Sequence, residues 1–131
     1  MTELILHLIG DYVTQSDWMA QNKTKRSWPA LCHAVVYSLP FLLLKPSWMA
    51  FAVILVTHFL IDRFRLARFV VYAKNLALSP HRPCDRERWR WLNCSTTGYP
   101  SDAPPWLAVW LLIAADNTLH LAINHLAISW L

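Results

Sequence analysis

Three histidine–aspartate pairs recur at one spacing in this chain of 131 residues: His7 with Asp11, His58 with Asp62, and Asp116 with His120. A further histidine, His33, stands between the first two pairs. Residues four apart share a helix face, so each pair presents an imidazole and a carboxylate from one stripe. Neutral imidazole nitrogens and carboxylate oxygens suit zinc, iron or manganese, and helix bundles build metal centres from such residues on facing helices. The predicted ligands are His7, Asp11, His33, His58, Asp116 and His120, holding a divalent ion, with zinc the first choice. A two-metal arrangement, or one metal plus a base, also fits seven such groups at differing depths. Asp62 is the simplest candidate for a carboxylate outside the ligand shell that acts as base and then acid. A single His-x3-Asp pair is equally well a hydrogen-bonded tie between helices; three pairs and a lone histidine, one set per apolar segment, point to a common centre.

The elements that must position these groups are apolar. Hydrophobic residues make up 56% of the chain, eight are Trp, and the charged fraction is 15% against roughly 25% in soluble domains. The expected fold is all-α: a polytopic, four-helix transmembrane bundle forming a single membrane domain over 1–131, with helices at about 3–22, 27–44, 46–75 and 104–131 and a loop at 76–103. Pro29 falls in a first turn that tolerates it, and Pro40 should kink the second helix. Asp11, Thr14, Gln15, Ser16 and Asp17 dilute the first segment, which either spans within protein surroundings or enters part way. With Glu3 the only early charge, no secretory signal is expected.

Lys and Arg set the orientation. Lys23, Lys25 and Arg26 follow the first segment, and Arg63, Arg65, Arg68, Lys74, Arg82, Arg86, Arg88 and Arg90 follow the third, whereas the intervening turn holds only Lys45. The basic regions are therefore expected on the cytoplasmic side, with both termini periplasmic. The stretch after residue 63 reads as a continuation of the third helix, basic and amphipathic, along the membrane surface. Arg88, Trp89, Arg90 and Trp91 suit a headgroup layer, so membrane lipids rather than nucleic acid are the expected partners. Arg63, Arg65 and Arg88 are candidates for holding a phosphate headgroup.

An ionisable residue at mid-membrane costs at least about 2.5 kcal/mol, so these groups must face inward and find compensation. The helices offer no obvious basic neighbour, which favours a metal cation. Of the remaining polar residues, Gln15 and Asp17 either complete the pocket or, for Asp17, cap a helix; Asn117 and Asn124 read as interhelical glue. His125 lies off the stripe. Ser38 is expected to bond back to its own helix. Cys32 reads as a small hydrophobe. Cys84 and Cys94, with His81 nearby, match no standard zinc spacing and are read as free thiols.

The runs HLIGDYVTQSDWMAQNK, HAVVYSL and HFLIDRF resemble a small membrane-protein family of bacteria and tailed phages whose function is unknown. The likeness covers about the first 75 residues; the last helix shares only DNTLH. It implies an integral protein of the bacterial inner membrane, with His7, Asp11, Gln15, His33, His58 and Asp62 as motif positions, and brings no activity with it. A looser likeness links the pattern to membrane-embedded metal hydrolases, without a shared motif. The reading that follows is metal-dependent hydrolysis of a lipid or lipid-linked substrate. Its rival is a non-enzymatic membrane protein: a homo-oligomeric ion channel or transporter, or a phage-encoded exclusion factor.

Overall fold

The computed structural model describes residues 1–78 and 87–131. Arg82 and Arg86, and the Cys84 and His81 pair considered for zinc, lie outside them. Every regular element among the described residues is helical: α1 (Thr2–Leu8), a π-helical turn (Ile9–Val13), α2 (Asp17–Asn22), α3 (Ser27–Ser38) with a 3-10 extension (Leu39–Leu44), α4 (Trp48–Phe64), α5 (Ala67–Leu78), α6 (Trp91–Cys94) and α7 (Pro105–Trp130). Two helices, Ser27–Leu44 and Pro105–Trp130, are long and apolar enough to cross a membrane. α4 has 17 residues, about 25 Å at the helical rise, a turn or so short of a core roughly 30 Å thick. Among the described residues, therefore, two of the four expected spans meet the criterion of length and hydropathy.

The first segment departs from the single helix expected over 3–22. After α1 the ladder widens into a π turn, with Thr14 N–H donating to Ile9 O at 2.9 Å and the Thr14 hydroxyl donating to Gly10 O at 3.0 Å. The chain then starts afresh: Ser16 turns extended and its hydroxyl accepts from Met19 N–H at 3.3 Å as the N-cap of α2. Short hydroxyl side chains compete with the helical ladder and favour such caps, so the polar cluster that diluted the segment divides it. Asp17 lies in the first turn of α2 and accepts from Gln21, exposed and away from the pocket.

Pro40 acts where it was expected to. It lacks an N–H, and its ring crowds the preceding turn. The helix tightens from α to 3-10 at Leu39, then ends at Lys45 in the left-handed region, φ 51°. The third segment does not run unbroken from 46 to 75. Arg65 adopts φ 53°, its N–H closing on Asp62 O at 3.3 Å, before α5 begins at Ala67.

Contacts divide the chain into two compact units, Met1–Arg65 with Thr118–Leu131, and Leu66–Asn117. In the first, Leu6, Tyr37, Phe41, Ala50, Ile54 and Ala127 form an apolar core. Gly10 lets the π turn sit against α3: a Cβ there would stand 2.6 Å from Tyr37 Cδ2 and 2.9 Å from Tyr37 O. Close backbone approach of this kind is how small residues join helices in lipid. Beside this core the unit buries polar groups and leaves large apolar residues outside. His7, Asp11, His33, Ser38, His58, Asp62, His120 and Asn124 are buried, while Leu4, Ile5, Val13, Val35, Leu43, Val56 and Leu126 lie on the exterior.

In the second unit the basic, aromatic stretch folds on α5. Trp91 stacks on Phe69 with centroids 4.8 Å apart, the Tyr72 hydroxyl donates to Trp89 O at 2.8 Å, and Arg68 Nη1 donates to Ser95 O at 2.9 Å. Gly98, at φ 82°, takes the left-handed turn beside Arg68 O, where a side chain would collide.

Candidate metal centre

The centre lies in the first unit and is built by the stripes of four elements. The π turn brings in Asp11, α3 brings His33, and α4 brings His58 and Asp62 one turn apart, while α7 brings His120 against them. Widening the backbone at Ile9–Val13 re-aims the side chains of that turn, a common use of π-helical insertions.

Asp11, His33, His58 and Asp62 each offer a ligand atom within 4.8 Å of the others, and all four are buried. His33 Nε2 lies 3.1 Å from Asp11 Oδ1 and 3.2 Å from Asp62 Oδ2. His58 Nε2 lies 3.5 Å from Asp11 Oδ1 and 3.2 Å from Asp62 Oδ2. The two Nε2 atoms are 3.0 Å apart. Ligand atoms at such separations could share one metal ion.

Hydrogen bonding alone does not satisfy this geometry. An imidazole nitrogen has one in-plane direction, carrying either a proton or a lone pair. Yet Asp11, Asp62, His58 and the Lys23 ammonium, at 3.1 Å, all converge on His33 Nε2. Asp62 Oδ2 is buried, close to both rings and 2.9 Å from the Lys23 ammonium. Besides the Lys23 ammonium, such a cluster could hold a metal ion.

Lys23 corrects the expectation that no basic residue is near the acids. Its Nζ lies 2.9 Å from Asp62 Oδ2 and 4.0 Å from Asp11 Oδ1. From the sequence it counted only as a residue setting orientation; placed at the C-terminus of the short α2, it reaches into the site.

The other expected ligands flank the four. His7 Nε2 stands 3.6 Å from Asp11 Oδ2, and His7 Nδ1 is 2.8 Å from the Tyr37 hydroxyl. Asn124 Nδ2 donates to that hydroxyl at 2.6 Å. Behind His58, His58 Nδ1 and His120 Nδ1 are 3.2 Å apart, and His120 Nε2 is 3.7 Å from Asp62 Oδ1. Partners of this kind fix the tautomer and raise the basicity of a ligating imidazole. The ring of Tyr37 stacks on His58 with centroids 3.5 Å apart and planes 12° apart. Tyr37 escaped the sequence reading, though it follows His33 by four residues and so continues its stripe.

Asp116 sits on α7 one turn before His120 and belongs to the second unit; Asn117 does too. His125 pairs with Glu3 at 3.1 Å on the exterior. Ser38 donates to Ala34 O at 2.7 Å, back-bonded as expected. Of the arginines considered for phosphate, Arg63 donates to Ser27 Oγ at 3.2 Å and Thr24 O at 3.1 Å, and Arg88 Nε faces both Asp102 oxygens at 2.9 and 3.0 Å. Burial holds the Cys94 thiol above the ordinary thiol range, and its Sγ approaches Arg88 O at 3.7 Å.

An all-helical chain with a buried histidine–carboxylate cluster able to hold a metal ion is thus the class that fold and site define. Residues 1–81 match the family described as a protein of unknown function (DUF3307), and the chain belongs to that family. Comparison with curated proteins and with solved structures gave no match.

Proposed function

We propose that the chain is a membrane-embedded metalloenzyme that hydrolyses a lipid or lipid-linked substrate at the Asp11–His33–His58–Asp62 centre. The observation that carries this reading is the gathering of two imidazoles and two carboxylates, all buried, whose donor atoms lie within 4.8 Å of one another and could hold a metal ion. Membrane residence is supported by the large apolar residues on the exterior of the first unit, and by α7, an apolar helix only 11% buried. A hydrophobic helix left that bare in water would be an aggregation site.

Catalytic zinc sites keep three protein ligands and an open corner. Asp11, His33 and His58 would supply the three, leaving Asp62 beside the ion as the base. A divalent ion, zinc first among them, supplies a Lewis acid and brings the pKa of water toward about 7. Asp62 would take the proton of the attacking water as the ester bond breaks and return it to the leaving oxygen, with His120 Nε2 3.7 Å from its other oxygen. Toward Lys23, whose side chain is 18% accessible, the cluster approaches the surface, and Phe41, Ala50, Ile54 and Ala127 pack in the apolar core of the same unit.

A second reading rests on the fourth donor. If Asp62 also ligates, all four corners are protein atoms, the pattern of a held ion, and the chain is a metal carrier. The test is elemental analysis of detergent-purified protein, followed by incubation with vesicles of bacterial phospholipid. One bound transition metal per chain and release of a headgroup or acyl chain are expected. Absence of metal would sink both readings; metal uptake into proteoliposomes without lipid turnover would favour the carrier.

A further inference from the structure

We infer that the ligand received at this centre bears a singly anionic phosphate ester, and that Lys23 is the residue that accepts it. The inference rests on the proposed function and adds the chemical class of the substrate.

The charge count comes first. Asp11 and Asp62 bring two negative charges, a divalent ion cancels them, and the Lys23 ammonium leaves one net positive charge in a largely buried cage. Net charge held away from water is costly, so the fitting occupant is an anion of one charge. A neutral carboxylic ester would leave the excess uncompensated, whereas a phosphodiester cancels it. Placement comes second. Lys23 is the partly exposed member of the cluster, its side chain 18% accessible against 4% for Asp62, so an oxygen entering beside Asp62 meets the ammonium at the rim. Its position is braced. Lys23 N–H closes α2 on Met19 O at 2.8 Å, and Arg63 from α4 grips Thr24 and Ser27 in the following turn. Arg63 is engaged on that turn and Arg88 on Asp102, so among these three basic residues it is Lys23 that stands at the cluster.

The chemistry is shared by a lipid headgroup and free phosphate, and the experiment separates them. Metal-loaded, detergent-solubilised protein is titrated by calorimetry with dihexanoyl phosphatidylglycerol below its micellar concentration, with inorganic phosphate, and with neutral triethyl phosphate. Binding of the phosphatidylglycerol is expected, weaker by about tenfold or more in Lys23→Gln, the scale of one charge-assisted hydrogen bond, and recovered in Lys23→Arg. Metal content stays at the wild-type level in both variants, which excludes loss of the fold. Tighter binding of inorganic phosphate, with the same dependence on Lys23, would uphold the anion site and assign it to a free phosphate. Unchanged affinity in Lys23→Gln, or triethyl phosphate binding as well as the anion, would overturn the inference while the metal centre stood. A protein without metal would remove the proposed function itself.

Discussion

The Tyr37 hydroxyl stands 2.8 Å from His7 Nδ1, and the Tyr37 ring covers the face of His58. One residue thereby contacts a histidine behind Asp11 and packs a proposed metal ligand. Tyr37→Phe keeps the stack and removes the hydroxyl. Metal affinity, measured by competition with a chromophoric chelator, should fall about 10- to 100-fold, the usual cost of losing a partner behind a ligand. An unchanged affinity would make the hydroxyl contact structural only.

His33→Ala and His58→Ala each remove a corner of the cage, and each should abolish stoichiometric metal in elemental analysis. His125→Ala touches only the exterior pair with Glu3 and should retain it. Metal kept in both of the first two variants would show that the donors do not share an ion.

Gly10 faces Tyr37 with no room for a methyl group. Gly10→Ala should displace the π turn and with it Asp11, destabilising the fold by about 1–3 kcal/mol, as overpacking does. A thermal melt in detergent reads this as a lower midpoint, and chelator competition as weaker metal binding. A melt that matches wild type would mean that the turn yields without cost.

Cys94 is fully buried, and burial raises its thiol pKa. A raised pKa leaves less thiolate at neutral pH, and thiolate is the reactive form. In a Cys32→Ser, Cys84→Ser background, maleimide should label Cys94 slowly in the folded protein, more quickly as pH rises, and fully on denaturation. Rapid labelling at neutral pH would contradict the packing of α6.

The membrane reading predicts that the chain stays in the pellet when membranes are washed with alkaline carbonate. Release to the supernatant would show that α3 and α7 do not hold it in a bilayer.

Much of this was legible in the letters. The repeated four-residue spacing placed His7, Asp11, His58, Asp62 and His120 on stripes, because the helical period depends only on local backbone geometry. The apolar composition set the all-helical class for the same reason. Pro40 announced its own disturbance, since a missing N–H is a property of one residue. Other features arise from contacts between residues distant in sequence. The break of the first segment at Ser16 was written in hydroxyl residues that suit a cap as well as a helix, and packing against α3 through Gly10 accompanies the capped form. Arg65 was one more cation in a basic run until its left-handed turn ended α4. Lys23 reaches Asp62 across 39 positions only because α2 and α4 end at the same place, and no periodicity encodes that meeting. What the sequence determined alone is which residues could serve a cation and on which helical faces they lie. Which four of them converge, which only steady the others, and that a lysine stands at the rim were decided by the tertiary structure, because convergence depends on how separate helices pack and spacing within a helix does not.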